Sequence, residues 1–361
     1  MKTMTPRERV LTALRRQVPD KVPREISYGA FTPALMRIFQ SKTGADDPAE
    51  YFNFEVRAVK FAPLEEDLRA RFARYLPPDL PAGAVVDDWG VARIQGDFLH
   101  FTRRIHPMRD FASAEAVESY PFPDFSDPQR HAHLRPEVAA LHARGLAAMG
   151  ELYATIFEVA WSMRGMENLL TDFLLNPDLA AALLDRVTEI RCTQARLFVQ
   201  AGVDILRLGD DVAQQRGLLM RPETWRGWLK PRLAKVIQAA REVNPNVLIF
   251  YHCDGNVEQL VPELIEIGVD ILNPVQPECM DPVKIKRLYG DRLSFWGTIG
   301  TQSVMPFGTP QDVKATVRHM IETVGEGGGL LLAPTHILEP EVPWDNILAF
   351  FEAIEEYGYY R

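Results

Sequence analysis

The sequence predicts an α/β fold, a (β/α)8 TIM barrel that takes up residues 1–361 as a single domain. Such barrels reach this length as one unit. In the second half of the chain, short runs rich in Val, Ile and Leu alternate with helical segments. This alternation is typical of strands buried on both faces of a parallel sheet. An open, doubly wound sheet is the alternative. No Gly-x-Gly-x-x-Gly motif follows a strand, so its dinucleotide-binding version has no support.

The chain opens with a predicted helical region. Thr5 can cap the first helix and Pro6 suits its first position, because proline already has a helical backbone angle there. A turn and a short strand follow in the segment PDKVPREISYG. Residues 30–80 show apolar periodicity broken by short polar stretches, and they predict mainly helix.

Residues 84–108 predict a β-hairpin that is inserted into the barrel repeat. Residues that favour strands alternate there with turn residues, and Gln95-Gly96-Asp97 suits a tight turn. We expect this hairpin to lie near the barrel mouth and to cover part of it.

Six apolar runs from residue 146 onward predict barrel strands, and the segments between them have helical periodicity. The segment VPREISYG and one weak N-terminal strand would complete the eight. The six runs are residues 146–154, 203–210, 246–252, 269–275, 292–298 and 328–334.

The composition excludes several classes of protein. Hydrophobic residues make up 47% of the chain and charged residues 25%, as in ordinary soluble domains. The net charge of -9 argues against a nucleic-acid or anionic-membrane partner, since both need clustered Lys and Arg. Neither a signal peptide nor an apolar run of roughly 20 residues is present, so we expect a cytoplasmic protein. The three cysteines form no Cys-x-x-Cys pair and predict no disulfide framework.

Polar residues follow the predicted strands, and in a barrel they would meet at one face. The carboxyl ends of all barrel strands point to the face that holds the active site. Capping of the following helices is the alternative, but it fits single residues better than a set that includes two His and three Asp. The set comprises Asp210, Asp211, His252, Asp254, Asn273, Gln276, Thr298, Thr301, Gln302, Thr335 and His336.

Three of these residues are candidate ligands of one metal ion. His252 and Asp254 are two positions apart, so their side chains share a face if the strand continues to Asp254. His336 would be the third ligand, from another strand end. Two imidazoles and one carboxylate leave positions open for substrate, as in catalytic zinc sites, and ferrous iron accepts the same set. Hydrogen bonding to neighbours without a metal is the alternative.

Acidic residues near the same strand ends are candidates for proton transfer. Asp210 and Asp211 are adjacent, so their side chains diverge along a strand. We expect one of them to face the pocket, as a general base or to hold a cationic ligand. The other would cap a helix or pair with Arg207 or Arg216. Glu158 is a further catalytic candidate, although a structural ion pair with Arg164 is an equally good interpretation.

The remaining candidates would contact the substrate. Aromatic residues could line the cavity, although packing in the core is their commoner fate, and amide or cationic side chains could orient a ligand. These candidates are Arg164, Gln215, Tyr251, Gln276, Trp296 and Gln302.

Several segments resemble the uroporphyrinogen decarboxylase superfamily in order and spacing. The resemblance covers nearly the whole chain and implies a (β/α)8 barrel. The segments are MTPRERVLTALRRQVPDKVPREI, GDDVAQQRGLLMRPETW, YHCDGNVEQLVPELIEIGVDILNPVQP, FWGTIGTQ, GTPQDV and APTHILEPEVPWDNI.

Two departures from the superfamily's patterns bear on function. Uroporphyrinogen decarboxylases have an arginine-rich N-terminal motif, whereas this chain has only Arg24 in that region, too few cations for a substrate with many carboxylates. The corrinoid-dependent methyltransferases of the superfamily bind zinc through a His-x-Cys-Gly segment and a late Cys. His252 matches that His, Asp254 replaces the first Cys, His336 stands near the late Cys, and Cys253 is one position out of register.

The resemblance therefore implies methyl transfer between a corrinoid protein and a small O- or N-methylated compound, or a thiol or folate acceptor. Zinc is the expected metal. A His/Asp/His site suits oxygen better than sulfur. The corrinoid-binding motif Asp-x-His-x-x-Gly is absent from the chain, so a separate protein would carry the cobamide. A homodimer is compatible with the sequence.

Two alternatives differ in chemistry. A decarboxylase or related lyase would act on a carboxylated substrate without metal and would use Asp210 or Asp211 as proton donor. The second alternative is a non-catalytic binding barrel, and the converging polar residues argue against it. Measurement of metal in the purified protein separates the methyltransferase from the lyase.

Overall fold

The computed structural model describes residues 3–29, 31–95 and 102–360. Its main sheet has seven parallel strands in the order β1-β5-β6-β9-β10-β11-β12. The strands are β1 (Val56–Val59), β5 (Ala147–Tyr153), β6 (Ile205–Gly209), β9 (Leu248–His252), β10 (Ile271–Asn273), β11 (Ser294–Ile299) and β12 (Leu330–Pro334). Each of the six runs predicted from residue 146 onward overlaps one of these strands, and β11 extends one residue beyond its run. Strand β1 takes the place of the weak N-terminal strand, whose position the sequence did not predict.

The eighth position of the barrel is taken by the segment around Arg24. Arg24 forms a parallel bridge with Leu332. Glu25 N–H donates to Leu332 O at 3.1 Å, and Leu332 N–H donates to Pro23 O at 2.9 Å. On the other side, Arg24 N–H donates to a side-chain oxygen of Glu55 at 3.3 Å. The predicted strand VPREISYG is therefore present as a short bridge, and the barrel prediction is confirmed.

Two small antiparallel sheets lie outside the barrel. One has the order β2 (Val85–Val86), β3 (Ala92–Ile94), β4 (Arg103–Ile105), and the other pairs β7 (Ala213–Gln214) with β8 (Gly217–Leu218). The predicted hairpin corresponds to β3 and β4, in which Ala92 lies opposite Ile105. Gly96 and Asp97 of its predicted turn lie outside the described residues.

The helices alternate with the barrel strands and pack around them. None of those in the described ranges combines the length and apolarity that crossing a membrane requires. They are α1 (Pro6–Leu14), α2 (Pro33–Thr43), α3 (Pro48–Tyr51), α4 (Leu68–Arg71), α5 (Ala114–Glu118), α6 (Pro128–His131), α7 (Leu134–Ala143), α8 (Phe157–Arg164), α9 (Met166–Leu175), α10 (Pro177–Ala201), α11 (Pro222–Trp228), α12 (Lys230–Val243), α13 (Val261–Glu266), α14 (Pro282–Tyr289), α15 (Val304–Phe307), α16 (Pro310–Thr323) and α17 (Trp344–Tyr357).

The core has an inner part inside the barrel and an outer part between the strands and the helices. Along β9, Phe250 belongs to the inner part and Tyr251 to the outer part, because successive strand residues point to opposite faces. Val10 and Leu14 of α1 pack with the inner residues. Helix α1 thus closes the amino-terminal end of the barrel and leaves the carboxyl-terminal end for the site.

The prediction of helix for residues 30–80 is wrong at β1. This strand has only four residues, with the burial pattern buried, intermediate, exposed, buried. Its neighbours on either side are short helices and turns. So short a strand lacks the continuous apolar run that identifies the other barrel strands.

Candidate metal centre

His252 is the last residue of β9 and lies almost fully buried inside the barrel. Its Nδ1 is 2.5 Å from Oδ1 of Asn273, the last residue of the neighbouring strand β10. The amide nitrogen of Asn273 donates to Trp296 O at 2.8 Å, which leaves Oδ1 facing the imidazole. Nδ1 of His252 is therefore the donor, and Nε2 carries the lone pair. Metal-binding histidines are oriented by an acceptor in this way.

Two carboxylates face Nε2 of His252. It lies 3.6 Å from Oδ1 of Asp211 and 3.8 Å from Oδ1 of Asp254. One ligand atom from each of the three residues lies within 4.8 Å of the other two. Asp254 N–H donates to Asp211 Oδ1 at 2.8 Å, which ties the two acidic residues together. The three side chains surround one point.

The donor set fits a divalent metal ion. Oδ1 of Asp254 is buried and accepts no hydrogen bond from the described residues. Burial raises the pKa of Asp254, while the neighbouring His252 lowers it. A buried acceptor without a donor is costly, and a cation at this point would satisfy it. One imidazole and two carboxylates also match the ligand preferences of Zn²⁺ and Fe²⁺.

His336 follows β12 at the rim of the same site. Its Nε2 lies 3.8 Å from Oδ2 of Asp254, and 37% of its side chain is exposed. His336 is not part of the compact group, which contains Asp211 instead. The structure thus brings the three predicted ligands into contact through Asp254. The closest third donor is a residue that sequence reasoning assigned to proton transfer.

Gly209 allows the approach of β6 to His252. A Cβ atom at this position would lie 2.6 Å from Cβ of His252 and 2.8 Å from its carbonyl oxygen. Real Cβ atoms do not approach other heavy atoms this closely. Only glycine therefore lets the strand that carries Asp211 lie beside His252.

The two adjacent aspartates point to different places. Asp210 accepts hydrogen bonds from Ile156 N–H at 3.1 and 3.0 Å and from Glu158 N–H at 2.9 Å. Its carboxylate thereby caps the amino terminus of α8, where negative charge is favourable. Burial nevertheless raises its pKa to about 6. Asp211 is the one that faces His252.

Glu158 lies behind Asp211. Its Oε2 accepts a hydrogen bond from Asp211 N–H at 3.3 Å. Burial raises its pKa well above the usual value, and the charges of Asp211 and Asp210 raise it further. Glu158 is therefore close enough to act on the site through Asp211.

Three of the residues predicted to contact the substrate bond to other protein groups instead. Arg164 is buried and pairs with Asp172 through its Nε at 2.7 Å. Tyr251 points into the outer core, where its hydroxyl donates to Asp210 O at 3.3 Å. Trp296 lies inside the barrel and donates to Glu25 at 2.7 Å. None of the three faces the rim of the site.

The predicted glutamines lie at the rim. Gln276 accepts a hydrogen bond from Gly255 N–H at 2.6 Å, and Gln215 donates to Gln302 at 2.6 Å between loops of different strands. The rim opens into a cleft of about 410 Å³. Its lining residues are Asp254, Gln276, Thr301, Gln302, His336, Ile337, Glu339, Glu341 and Val342.

Sequence analysis did not predict that two ionisable residues lie buried below His252. Arg207 and Glu25 line a small cavity inside the barrel together with His252 and Trp296. Burial raises the pKa of Glu25 to about 7, while hydrogen bonding from Trp296 lowers it. An arginine at an inward position of the apolar strand β6 was the available signal, because charged residues are rarely buried without function or a partner.

Cys253 lies on the other side of β9 from the site. It is fully buried and belongs to the outer core. Burial raises the pKa of its thiol well above the usual value. Since residues 252 and 253 point to opposite faces, the thiol of Cys253 and the imidazole of His252 do not share a ligand position.

Comparison with known proteins supports the superfamily resemblance. The family model of uroporphyrinogen decarboxylase (URO-D) matches residues 110–357. A methylcobamide:CoM methyltransferase of Methanosarcina barkeri is 30% identical over 180 residues, half of each chain. A uroporphyrinogen decarboxylase of Coxiella burnetii is 22% identical over 185 residues, which are 50% of this chain and 48% of the relative. The chain thus spans about half the length of these relatives.

A solved structure agrees over the whole chain. A methyltransferase from Methanosarcina mazei aligns with a TM-score of 0.68 at 21% identity, over 98% of this chain and 99% of that one. At this identity the agreement establishes the fold. The family model covers more than half of the chain, and the chain therefore belongs to the uroporphyrinogen decarboxylase (URO-D) family.

Proposed function

We propose that this chain transfers a methyl group between a small O- or N-methylated compound and a corrinoid held by a separate protein. The observation that supports this best is the compact group of Asp211, His252 and Asp254 at the carboxyl ends of the barrel strands. It lies where barrel enzymes carry out their chemistry. Its donor set fits a divalent metal, which a simple decarboxylase site would not need.

The metal, most suitably zinc, would be held by Nε2 of His252 and by carboxylate oxygens of Asp254 and Asp211. His336 would approach from the rim, beside Asp254. A bound zinc ion supplies Lewis acidity, which favours departure of an oxygen or nitrogen from the methyl group. The protein's own part is to orient the donors: Asn273 fixes the imidazole, and Asp254 N–H fixes Asp211.

The ligand atoms favour oxygen chemistry over thiol activation. Zinc sites that activate thiols commonly use thiolate ligands, because soft ligands suit sulfur. In this chain Asp254 occupies the Cys position of the His-x-Cys-Gly pattern, and Cys253 points into the outer core. An O- or N-methylated donor therefore fits better than a thiol acceptor.

A corrinoid on a separate protein is consistent with the open rim. The cleft beside His336 leads outward from the candidate metal centre. The relative from Methanosarcina barkeri is named as a methyltransferase that acts on a methylcobamide. We carry that partner over to this chain as part of the proposal.

The alternative of a decarboxylase is less well supported, although a relative of that name matches half of the chain. Arg24, the one arginine in the region of the substrate-binding motif, pairs with Glu355 instead of facing the cavity. Asp210, the candidate proton donor, caps α8 through its carboxylate.

Elemental analysis tests the metal site. The purified protein should contain about one divalent ion per chain. In a structure of the zinc-loaded protein, the ligand atoms should lie about 2.0–2.2 Å from the ion. Asp254→Ala and His252→Ala should lose the metal. Cys253→Ala is the matched control, because it alters the residue between them and leaves the proposed ligands in place. Metal loss in Cys253→Ala, with retention in Asp254→Ala, would reverse the assignment.

An activity assay tests the reaction. The protein is incubated with O- or N-methylated donors and cob(I)alamin, and methylcobalamin is followed by its absorbance. Uroporphyrinogen is supplied in a parallel assay. We expect methylcobalamin only in the first assay and only with the metal-loaded protein. Decarboxylation in the second assay, without methylcobalamin in the first, would replace this proposal with the lyase.

A further inference from the structure

Arg104 and Trp161 form a stacked pair beside the candidate metal centre. Arg104 lies on β4, and its Cζ is 4.7 Å from the centroid of the Trp161 ring on α8. Nε of Arg104 and Nε1 of Trp161 are both buried, and neither donates a hydrogen bond to an acceptor in the described residues. A buried donor without an acceptor is energetically costly. Two such donors in contact indicate a site for an acceptor that lies outside the described residues, such as a ligand.

The charge of Arg104 is compensated only from a distance, by Glu158 and Asp87. The register of the small sheet places Arg93 directly opposite Arg104, and like charges in this relation repel. Arg93 pairs with Asp87 at 3.0 Å, whereas Arg104 takes part in no ion pair within the described ranges. Burial lowers the pKa of Arg104, and the charge of Arg93 lowers it further. A negatively charged ligand would offset both the burial of the Arg104 charge and its repulsion by Arg93.

The surroundings of Arg104 favour an anion. It lines a cleft of about 720 Å³ whose walls also include Arg74, Arg103 and Arg109, with Asp110 as the acidic lining residue. The whole chain has a net charge of -9, so this concentration of arginines is a local feature. A cleft lined by one sign of charge raises the local concentration of the opposite ion.

The pair is one helical turn from Glu158, whose carboxylate contacts the backbone of Asp211 in the candidate metal centre. Trp161 follows Glu158 by three positions on α8, and such residues are neighbours on a helix. Glu158 accepts a hydrogen bond from Asp211 N–H at 3.3 Å. The strand of Arg104 is attached to the same helix, since Met108 N–H donates to Met163 O at 2.9 Å.

We propose that Arg104 and Trp161 bind a carboxylate of the methyl-bearing substrate. Arg104 Nε and Trp161 Nε1 donate to its oxygens, and the methyl group extends past Glu158 toward Asp211 and His252. The substrate class is therefore a methylated organic acid. This inference rests on the proposed function for the identity of the ligand, but carboxylate binding can be measured without any methyl transfer.

Titration calorimetry on the metal-loaded full chain tests the site, with 3-methoxybenzoate as probe and methoxybenzene and inorganic phosphate for comparison. Loss of a charged hydrogen bond costs about 1.5–3 kcal/mol, so Arg104→Gln should weaken methoxybenzoate binding by about 10–100-fold. Trp161→Phe keeps the ring and removes the N–H, and should weaken it by about 3–10-fold. Arg135→Gln, at an exposed position on α7 outside this cleft, is the control and should change it less than about 3-fold.

Several results would overturn the assignment. One is no binding of methoxybenzoate to the unaltered protein, and another is an equal loss of affinity in Arg135→Gln and Arg104→Gln. A third is tighter binding of phosphate than of methoxybenzoate. Circular dichroism checks the folding of each variant. Arg104→Lys keeps the positive charge, so it should bind methoxybenzoate more tightly than Arg104→Gln does. Carboxylate binding without methyl transfer would refute the proposed function and leave this site standing.

Discussion

His252 has its ring orientation fixed by residues that do not face the candidate metal. Asn273 accepts from Nδ1, and the backbone of Trp296 in turn fixes the Asn273 amide. Removal of such an outer partner lowers metal affinity by about 10–100-fold. Asn273→Ala should therefore weaken zinc binding by that range without abolishing it, as measured by competition with a chromophoric chelator. Unchanged affinity would mean that His252 is not a ligand through Nε2.

Gly209 should not tolerate even one added methyl group. Gly209→Ala would place Cβ 2.6 Å from Cβ of His252, and forced overpacking costs about 1–3 kcal/mol. We expect urea denaturation to show this loss in the free energy of unfolding. The metal content should fall as well, because His252 is displaced. Gly227→Ala is the control, because its Cβ would meet nothing within 4 Å. Equal stability of the two variants would contradict this explanation.

Glu25 should make folding stability depend on pH. Burial raises its pKa to about 7 in the folded protein, from 4.5. The folded state then holds a proton that the unfolded state releases, so this contribution to stability is present below pH 4.5 and is lost as the pH rises to 7. Glu25→Gln, which can still accept from Trp296, should remove that loss, up to about 3 kcal/mol.

The measurement for Glu25 is urea denaturation between pH 5 and 8, with the difference between Glu25→Gln and the unaltered protein followed at each pH. Other groups titrate in both proteins and cancel in this difference. Glu65→Gln, at an exposed position, serves as control and should give a constant difference. A constant difference for Glu25→Gln as well would show that Glu25 is already ionised in the folded state.

At the scale of elements, β6 holds the amino terminus of α8 in place through Asp210. Its carboxylate satisfies backbone N–H groups of that helix, and loss of an N-cap costs about 0.5–2 kcal/mol. Asp210→Ala should lose at least this amount in denaturation experiments, because the helix end is buried. Asp210→Asn retains an acceptor oxygen and should lose less.

The same two variants separate capping from catalysis. If Asp210 acts only as a cap, methyl transfer by Asp210→Asn should be close to that of the unaltered protein. Asp281→Ala is the control, since Asp281 caps α14 at the surface. Loss of activity in Asp210→Asn at unchanged stability would instead assign Asp210 to proton transfer.

The predictability of elements from sequence follows their hydrophobic patterns. Strands such as β9 and β12 are continuous apolar runs buried along their whole length, and their positions and shared face could be predicted. The four-residue strand β1 has a mixed burial pattern and was not distinguishable from the helices around it. The choice between Asp210 and Asp211 depends on where α8 begins in space, which no local pattern specifies.

At the scale of the whole molecule, a metal at the centre would join the ends of two barrel strands. Asp211 follows β6, while His252 and Asp254 come from the end of β9. A ligand that binds only the folded state stabilises it by about 2.7 kcal/mol at a concentration 100 times its Kd. A chelator should therefore lower Tm, measured by calorimetry, and added zinc should restore it. Asp254→Ala should show no response to the chelator, whereas Cys253→Ala should respond as the unaltered protein does.

The barrel is closed by contacts between its first and last segments. Arg24 bridges Leu332, and Ser294 donates to Leu14 O across 280 positions of sequence. During synthesis, the apolar face of α1 leaves the ribosome long before β11 and β12 exist. Contacts so distant in sequence slow folding and leave apolar surface open to aggregation. Until β11 and β12 are made, Val10 and Leu14 can be covered only in part, by earlier strands such as β1 and β5, so closure of this end of the barrel must be a late step of folding.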